Sequence, residues 1–189
     1  MANDDEDKLG IDDLIPAAGG EWHGLLFDNP TLRLPPCLTW SLEFPFKDVA
    51  RGGDASPVSV SVEWLPIPAD SWRRVAGHHL SSATFGEPAE ATVYYYLHRR
   101  FQSVDVRLTD QDNRSLRAVA ALSGDIDGLG IDPVRADAWL TFTGITVSLH
   151  DVNSPEMALT RLRQFTDTTG LTIGPDSRTA GLRFLATPR

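Results

Sequence analysis

The feature that most constrains the fold is a series of segments between residues 91 and 149 in which apolar and polar residues alternate. In residues 101–108, for example, polar side chains separate Val104, Val106 and Leu108. Alternation with a period of two is typical of a β-strand with one buried face. Short polar connections predict that successive segments pair as antiparallel neighbours. The predicted strands are residues 91–98, 101–108, 114–122 and 138–149.

The last of these segments changes phase at Gly144. Leu140 and Phe142 share one phase, whereas Ile145 and Val147 share the other. A β-bulge at Gly144 would return both pairs to the same face of the sheet. The alternative is a strand that is buried on both faces and has no bulge. The permissive backbone of glycine favours the bulge.

Two upstream segments, residues 37–46 and 57–67, predict a further pair of strands with one solvated face. The loop between them, residues 47–56, is expected to be long and irregular, with Gly52 and Gly53 at its centre. The residues predicted to face inward are Leu38, Trp40, Leu42, Phe44, Val58, Val60, Val62 and Trp64.

One helix is predicted, over about residues 154–168. Ser154 suits the N-cap, and Pro155 suits the first turn. Many short strands with a single helix predict a mainly β chain, either an antiparallel β-sandwich or an open barrel. We expect residues 14–189 to form a single β-rich domain.

Residues 1–13 form an acidic segment that carries −5 of the total charge of −9. Such a segment predicts a disordered, solvated tail. No apolar run reaches the roughly 20 residues that a membrane helix needs, and Cys37 is the only cysteine. We therefore expect a cytoplasmic protein without a membrane association.

No motif in the chain indicates catalysis. The sequence contains no G-x-S-x-G, phosphate-binding loop, dinucleotide fingerprint, HExxH or paired CxxC. We therefore assign no catalytic residue and no cofactor, and we lean against an enzyme. The glycine-rich loop 124–132 carries weak candidate calcium ligands at Asp125, Asp127 and Asp132. Its pattern occurs once and lacks the terminal glutamate of an EF-hand, so a solvated turn is favoured.

The remaining functional signal is aromatic and basic. Tyr94, Tyr96 and Arg100 are the candidate partner-binding residues, with Tyr95 turned to the core, because tyrosine and arginine are frequent interface anchors. The acidic balance opposes nucleic-acid binding. We therefore predict a non-catalytic protein-binding module, such as a stoichiometric inhibitor or an immunity protein against a toxin. The alternatives are an enzyme or small-ligand carrier with a site inside the sandwich, and a calcium-binding β domain.

Overall fold

The computed structural model describes residues 8–10, 12–126, 128, 132–175 and 181–187. Within these ranges the chain forms thirteen strands and one α-helix. The strands are β1 (Glu21–Asn29), β2 (Leu34–Pro45), β3 (Val49–Arg51), β4 (Asp54–Ser56), β5 (Ser59–Leu65), β6 (His79–Ser82), β7 (Glu90–Tyr95), β8 (Leu97–Arg100), β9 (Ser103–Asp112), β10 (Ser115–Ser123), β11 (Val134–Ser148), β12 (Leu171–Ile173) and β13 (Leu182–Ala186). The helix is α1 (Pro155–Leu162).

Eleven strands belong to one sheet, in the order β6-β9-β10-β11-β1-β2-β5-β7-β8, with β13 and β12 branching from β11. The β1–β11 pair is parallel, and the other pairs are antiparallel. Apolar residues of β9 and β7, the strands next to the two ends of this order, belong to one core cluster and the two strands touch, so the sheet curls around its own inner face. The prediction of a mainly β fold with a single helix near the C-terminal region is confirmed.

Aromatic side chains fill the centre of the curled sheet. The ring of Trp22 lies 5.4 Å from that of Trp40 and 4.7 Å from that of Phe142, measured between centroids. Trp72 stacks on Phe142 at 4.4 Å. All four side chains are buried. Packed rings fill this side of the sheet, so the outer face is the one open to a partner.

The phase predicted for β5 is wrong at its end. Val62 lies inward as expected, but Trp64 is half-exposed on the outer face. Trp40 pairs with Leu65 and Leu42 pairs with Val62, so β5 carries one extra residue between the two pairs. This bulge, with Trp64 at a φ of 65°, puts Leu65 into the inward position that alternation had given to Trp64.

The bulge predicted in β11 is confirmed. Trp22 pairs with Phe142, and the next residue, His23, pairs with Gly144, so Thr143 is the extra residue. Leu140 and Phe142 before the bulge, and Ile145 and Val147 after it, are all buried. The inner face of β11 is therefore continuous across the change of phase.

Residues 91–98 are not one strand, contrary to the prediction. The chain turns at Tyr96, which has a φ of 56°, and Tyr95 pairs with Leu97 across the turn. As a result β7 lies beside β5 and β8, whereas β9 lies beside β6 and β10, so the expected pairing of residues 91–98 with 101–108 is absent. Aromatic residues rarely mark such turns, which usually favour glycine, asparagine or aspartate.

Two further local predictions need correction. The predicted loop 47–56 folds into the β3–β4 hairpin, in which Gly52 and Gly53 supply the positive φ angles of the turn. The helix is shorter than expected, because α1 ends at Leu162. Its predicted start is confirmed, since the Ser154 hydroxyl accepts a hydrogen bond from the Met157 backbone N–H at 3.3 Å.

Part of the predicted acidic tail, residues 1–7 and residue 11, lies outside the described residues. Leu9 is 3% exposed and belongs to the core cluster, and Asp13 pairs with Arg51 at 2.6 Å.

The single-domain assignment stays a prediction. Among the described residues, no helix is long and apolar enough to cross a membrane.

Candidate functional site

The outer face of the sheet carries two different arrangements of charge. On β9, β10 and β11, acidic and basic residues alternate across the strands. The Arg117 guanidinium donates two hydrogen bonds to Asp137, at 3.0 and 2.9 Å, and lies 3.8 Å from Asp110. These hydrogen bonds hold the pKa of the Asp137 carboxyl below its usual value. This half of the face is thus neutralised by its own ion pairs.

On β1, β2, β5 and β7 the outer face carries glutamates opposite one another. Glu21 pairs in register with Glu43, and Glu63 pairs in register with Glu90. None of the four carboxylates forms an ion pair with a described residue. Like charges directly opposite each other destabilise a sheet. We call these four residues the acidic face.

The pKa of Glu63 is raised by its position on the acidic face. Partial burial raises it, and the nearby carboxylates of Glu90 and Glu43 raise it further, while His98 opposes them. Glu63 therefore carries negative charge that is partly removed from water and that forms no ion pair with a described residue.

Trp64 adds an aromatic side chain to the acidic face. Its indole N–H donates to the Glu90 carboxylate at 2.8 Å, and its ring packs edge-on against Phe27 at 5.0 Å between centroids. A left-handed backbone is unusual for a bulky residue and is found at functional sites more often than elsewhere. Sequence analysis missed this residue, because alternation placed it in the core and no glycine marks the bulge.

Tyr94 and Arg100, two of the predicted partner-binding residues, lie on the outer face of the β7–β8 hairpin. Tyr94 is 37% exposed, and its ring lies 5.0 Å from that of its cross-strand neighbour His98. The Arg100 guanidinium lies 4.6 Å from the centre of the Phe85 ring. Since β7 also carries Glu90, Tyr94 and Arg100 lie beside the acidic face, toward the edge of the sheet.

Tyr96, the third predicted residue, lies in the turn of the same hairpin and not on a strand. Its hydroxyl accepts a hydrogen bond from the Ser56 hydroxyl at 2.6 Å, which links it to the β3–β4 hairpin. Tyr95 is buried, as predicted. The three residues are therefore brought onto one hairpin, and their binding to a partner stays a prediction.

The candidate calcium loop is described only in part. Asp127 lies outside the described residues. The Asp132 carboxylate accepts a hydrogen bond from the backbone N–H of Gly124 at 3.3 Å, and Asp125 is exposed. In the described ranges these two aspartates are not part of any group of three converging metal ligands, and the calcium hypothesis gains no support.

The adjacent arginines Arg73 and Arg74 form contacts within the fold. Arg73 lies over the Trp72 ring at 4.1 Å and donates to the carbonyl of Thr169 at 2.6 Å. Arg74 pairs with Asp70 at 2.8 Å. These contacts give both side chains a structural role and do not favour a phosphate-binding surface.

A separate cleft lies where β1 and β11 end side by side. Asp28 lies near the end of β1, and its carboxylate accepts hydrogen bonds from the backbone N–H of His150, at 3.0 Å, and from the His150 ring Nδ1. Although burial raises the pKa of Asp28, these hydrogen bonds outweigh it and lower the pKa below its usual value. The cleft holds about 410 Å³ and is lined by His23, Gly24, Leu25, Phe27, Asp28, Thr146 and Ser148.

Sequence analysis did not find this cleft, because Asp28 and His150 are 122 residues apart and meet only through the parallel β1–β11 pair.

Comparison of the chain with protein-family models, with curated proteins and with solved structures found no match.

Proposed function

We propose that this protein is a non-catalytic binding module that acts as a stoichiometric inhibitor of a positively charged protein, as an immunity protein does against a toxin. The observation that carries the proposal is two pairs of facing glutamates. Glu21 faces Glu43 across β1 and β2, and Glu63 faces Glu90 across β5 and β7. None of these carboxylates has a cationic partner among the described residues. The repulsion destabilises the free protein and is relieved when a cationic surface approaches. Such a surface is therefore bound more favourably than a neutral one.

The rest of the surface supports the same function. A net charge of −9 attracts a basic partner from a distance and accelerates encounter. Trp64 and Tyr94 supply aromatic anchors beside the glutamates, and tryptophan, tyrosine and arginine are the residues most often found as binding hot spots. Inhibition by occlusion requires complementary shape and charge, and it requires no reactive side chain.

We place this function in the cytoplasm. Cys37 is the only cysteine in the chain, and partial burial raises the pKa of its thiol, which keeps it protonated and unreactive. A chain of this kind needs no oxidising compartment for its stability.

The test compares two variants that remove the same amount of charge. The acidic-face variant is Glu43→Gln/Glu63→Gln/Glu90→Gln. The matched control is Asp105→Asn/Asp110→Asn/Asp137→Asn on the neutralised half, where Asp105 on β9 lies 3.6 Å from Arg107. Partners captured from the source cell with the wild-type chain are purified, and binding is measured by calorimetry at low and high salt. We expect a 1:1 complex with a basic protein, weakened at least about tenfold by the acidic-face variant and much less by the control.

A third variant, Tyr94→Ala/Arg100→Ala, tests whether the β7–β8 hairpin belongs to the same interface. If the acidic-face variant and its control lose the same amount of affinity, net charge alone explains the binding, and the proposed surface is contradicted. A captured partner whose binding is unaffected by all three variants would overturn the proposal.

A further inference from the structure

Three potential metal ligands converge at the end of the β1–β11 pair. Asp28, His150 and Asp151 each offer one ligand atom, and these atoms all lie within 4.8 Å of one another. Ligand-to-metal distances of about 2.0–2.2 Å place neighbouring ligand atoms of one ion about 3–4 Å apart. Small side-chain rotations would therefore bring all three groups onto a single ion.

The surrounding fold holds the central carboxylate in place. The Asp28 side chain is 4% exposed, and one of its oxygens accepts a hydrogen bond from the His150 backbone N–H. Its other oxygen faces the His150 ring nitrogen. A metal ion bound to this oxygen and to the ring nitrogen would take the place of their direct contact.

The third ligand is available from the solvent side. Asp151 is exposed and pairs with Arg161 on α1, whose side chain is itself 40% exposed. Exposed ion pairs of this kind contribute little to stability, so exchanging one for a metal ligand costs little. The open cleft beside Asp28 leaves room for water at the remaining coordination positions.

We propose that Asp28, His150 and Asp151 form a binding site for a divalent transition metal ion, of which Zn²⁺ fits best. Two carboxylates would neutralise the charge of the ion. The imidazole favours zinc and its neighbours over calcium and magnesium, which prefer oxygen ligands alone. This site is separate from the acidic face, and it does not depend on the proposed inhibitory function.

The test titrates ZnCl₂ into the full chain and measures the heat of binding. We expect one ion per chain, with the affinity reduced at least about tenfold by His150→Ala and by Asp151→Asn. The matched control is His79→Ala. The His79 ring also bonds to an aspartate, Asp105, at 2.7 Å, but among the described residues it lacks a third converging ligand. We expect His79→Ala to bind zinc as the wild type does.

Circular dichroism of each variant shows whether it is folded, and the exposed positions of His150 and Asp151 make both variants suitable. Absence of zinc binding by the wild-type chain would overturn the proposal. Binding that survives both His150→Ala and Asp151→Asn, or that is lost equally in His79→Ala, would show adventitious binding elsewhere and would also overturn it.

Discussion

At the scale of single residues, the facing glutamates of the acidic face lower the stability of the free protein, and our proposal gives them a role in binding. Glu63 and Glu90 lie directly opposite each other, although a neutral residue at either position would make the free protein more stable. Residues that lower the stability of the isolated chain are typical of functional surfaces. The stability of the free protein therefore offers a test of the acidic face that needs no partner.

We expect Glu63→Gln to raise the free energy of unfolding at neutral pH by about 0.5 kcal/mol, the size of one unfavourable cross-strand pair. The pKa of Glu63 is raised above its ordinary value of 4.5. Its contribution to stability is therefore fully present below pH 4.5 and is lost as pH rises through the raised pKa. The advantage of the variant should vanish in acid and grow toward neutral pH in urea denaturation.

Asp137→Asn is the matched control with the opposite sign. Hydrogen bonds from Arg117 lower the pKa of Asp137, so its contribution is present above the ordinary pKa and is lost as pH falls through the lowered one. We expect this variant to be less stable than the wild type at neutral pH and to converge with it in acid. Parallel pH profiles for the two variants would contradict the assignment of paired and unpaired carboxylates.

Sequence alone could place some of these side chains but not their neighbours. Alternation correctly turns Glu43 and Glu63 outward and Tyr95 inward. It does not show that Glu43 lies opposite Glu21, or Glu63 opposite Glu90, because these pairings depend on the order of strands in the sheet. The acidic face was therefore not predictable as a site, although half of its residues had the right orientation.

At the scale of elements, the irregularities of the strands differ in whether the sequence predicts them. The bulge of β11 was predictable because Gly144 stands where the apolar phase changes. The bulge of β5 and the β7–β8 turn place the left-handed backbone at Trp64 and Tyr96. Neither residue type favours that conformation, so packing must impose it, and the sequence carries no local marker.

We expect Gly144→Ala to destabilise the fold by about 3 kcal/mol, well beyond the cost of an unfavourable φ alone. A Cβ atom at Gly144 would lie 2.5 Å from the backbone carbonyl oxygen of Phe184 on β13. Gly77→Ala is the control, because Gly77 also has a positive φ but no atom within 4 Å of such a Cβ. It should cost about 1 kcal/mol. Similar losses in thermal unfolding would contradict close contact at the bulge.

At the scale of the whole molecule, the sheet consists of two sets of strands joined by the β1–β11 pair. One set, β1-β2-β5-β7-β8, carries the acidic face, and the other, beginning at β11, carries the ion pairs. The sequence predicted a mainly β chain with one helix, because periodicity and turn residues are local signals. It could not predict the parallel pair, which depends on contacts between distant residues.

We expect deletion of residues 1–7 to change the melting temperature by less than about 1 °C, because this segment contributes almost no apolar side chains. Leu9→Ala should instead cost about 2 kcal/mol, since Leu9 is 3% exposed in the core. For a chain of this length that is a fall of about 4–8 °C. Equal losses for the two variants in a thermal melt would place the first seven residues in the fold as well.

The parallel pairing of β1 and β11 also determines the order in which the strands of the sheet can pair during folding. Glu21 pairs with Thr141, 120 residues later, whereas β1 and β2 are close in the chain and can pair early. Contacts of such long sequence separation form late. During synthesis on the ribosome, the first set of strands must therefore wait with the β1 edge open until β11 emerges. An open strand edge invites pairing with other chains, so products that end before β11 are the species from which we expect aggregation to start.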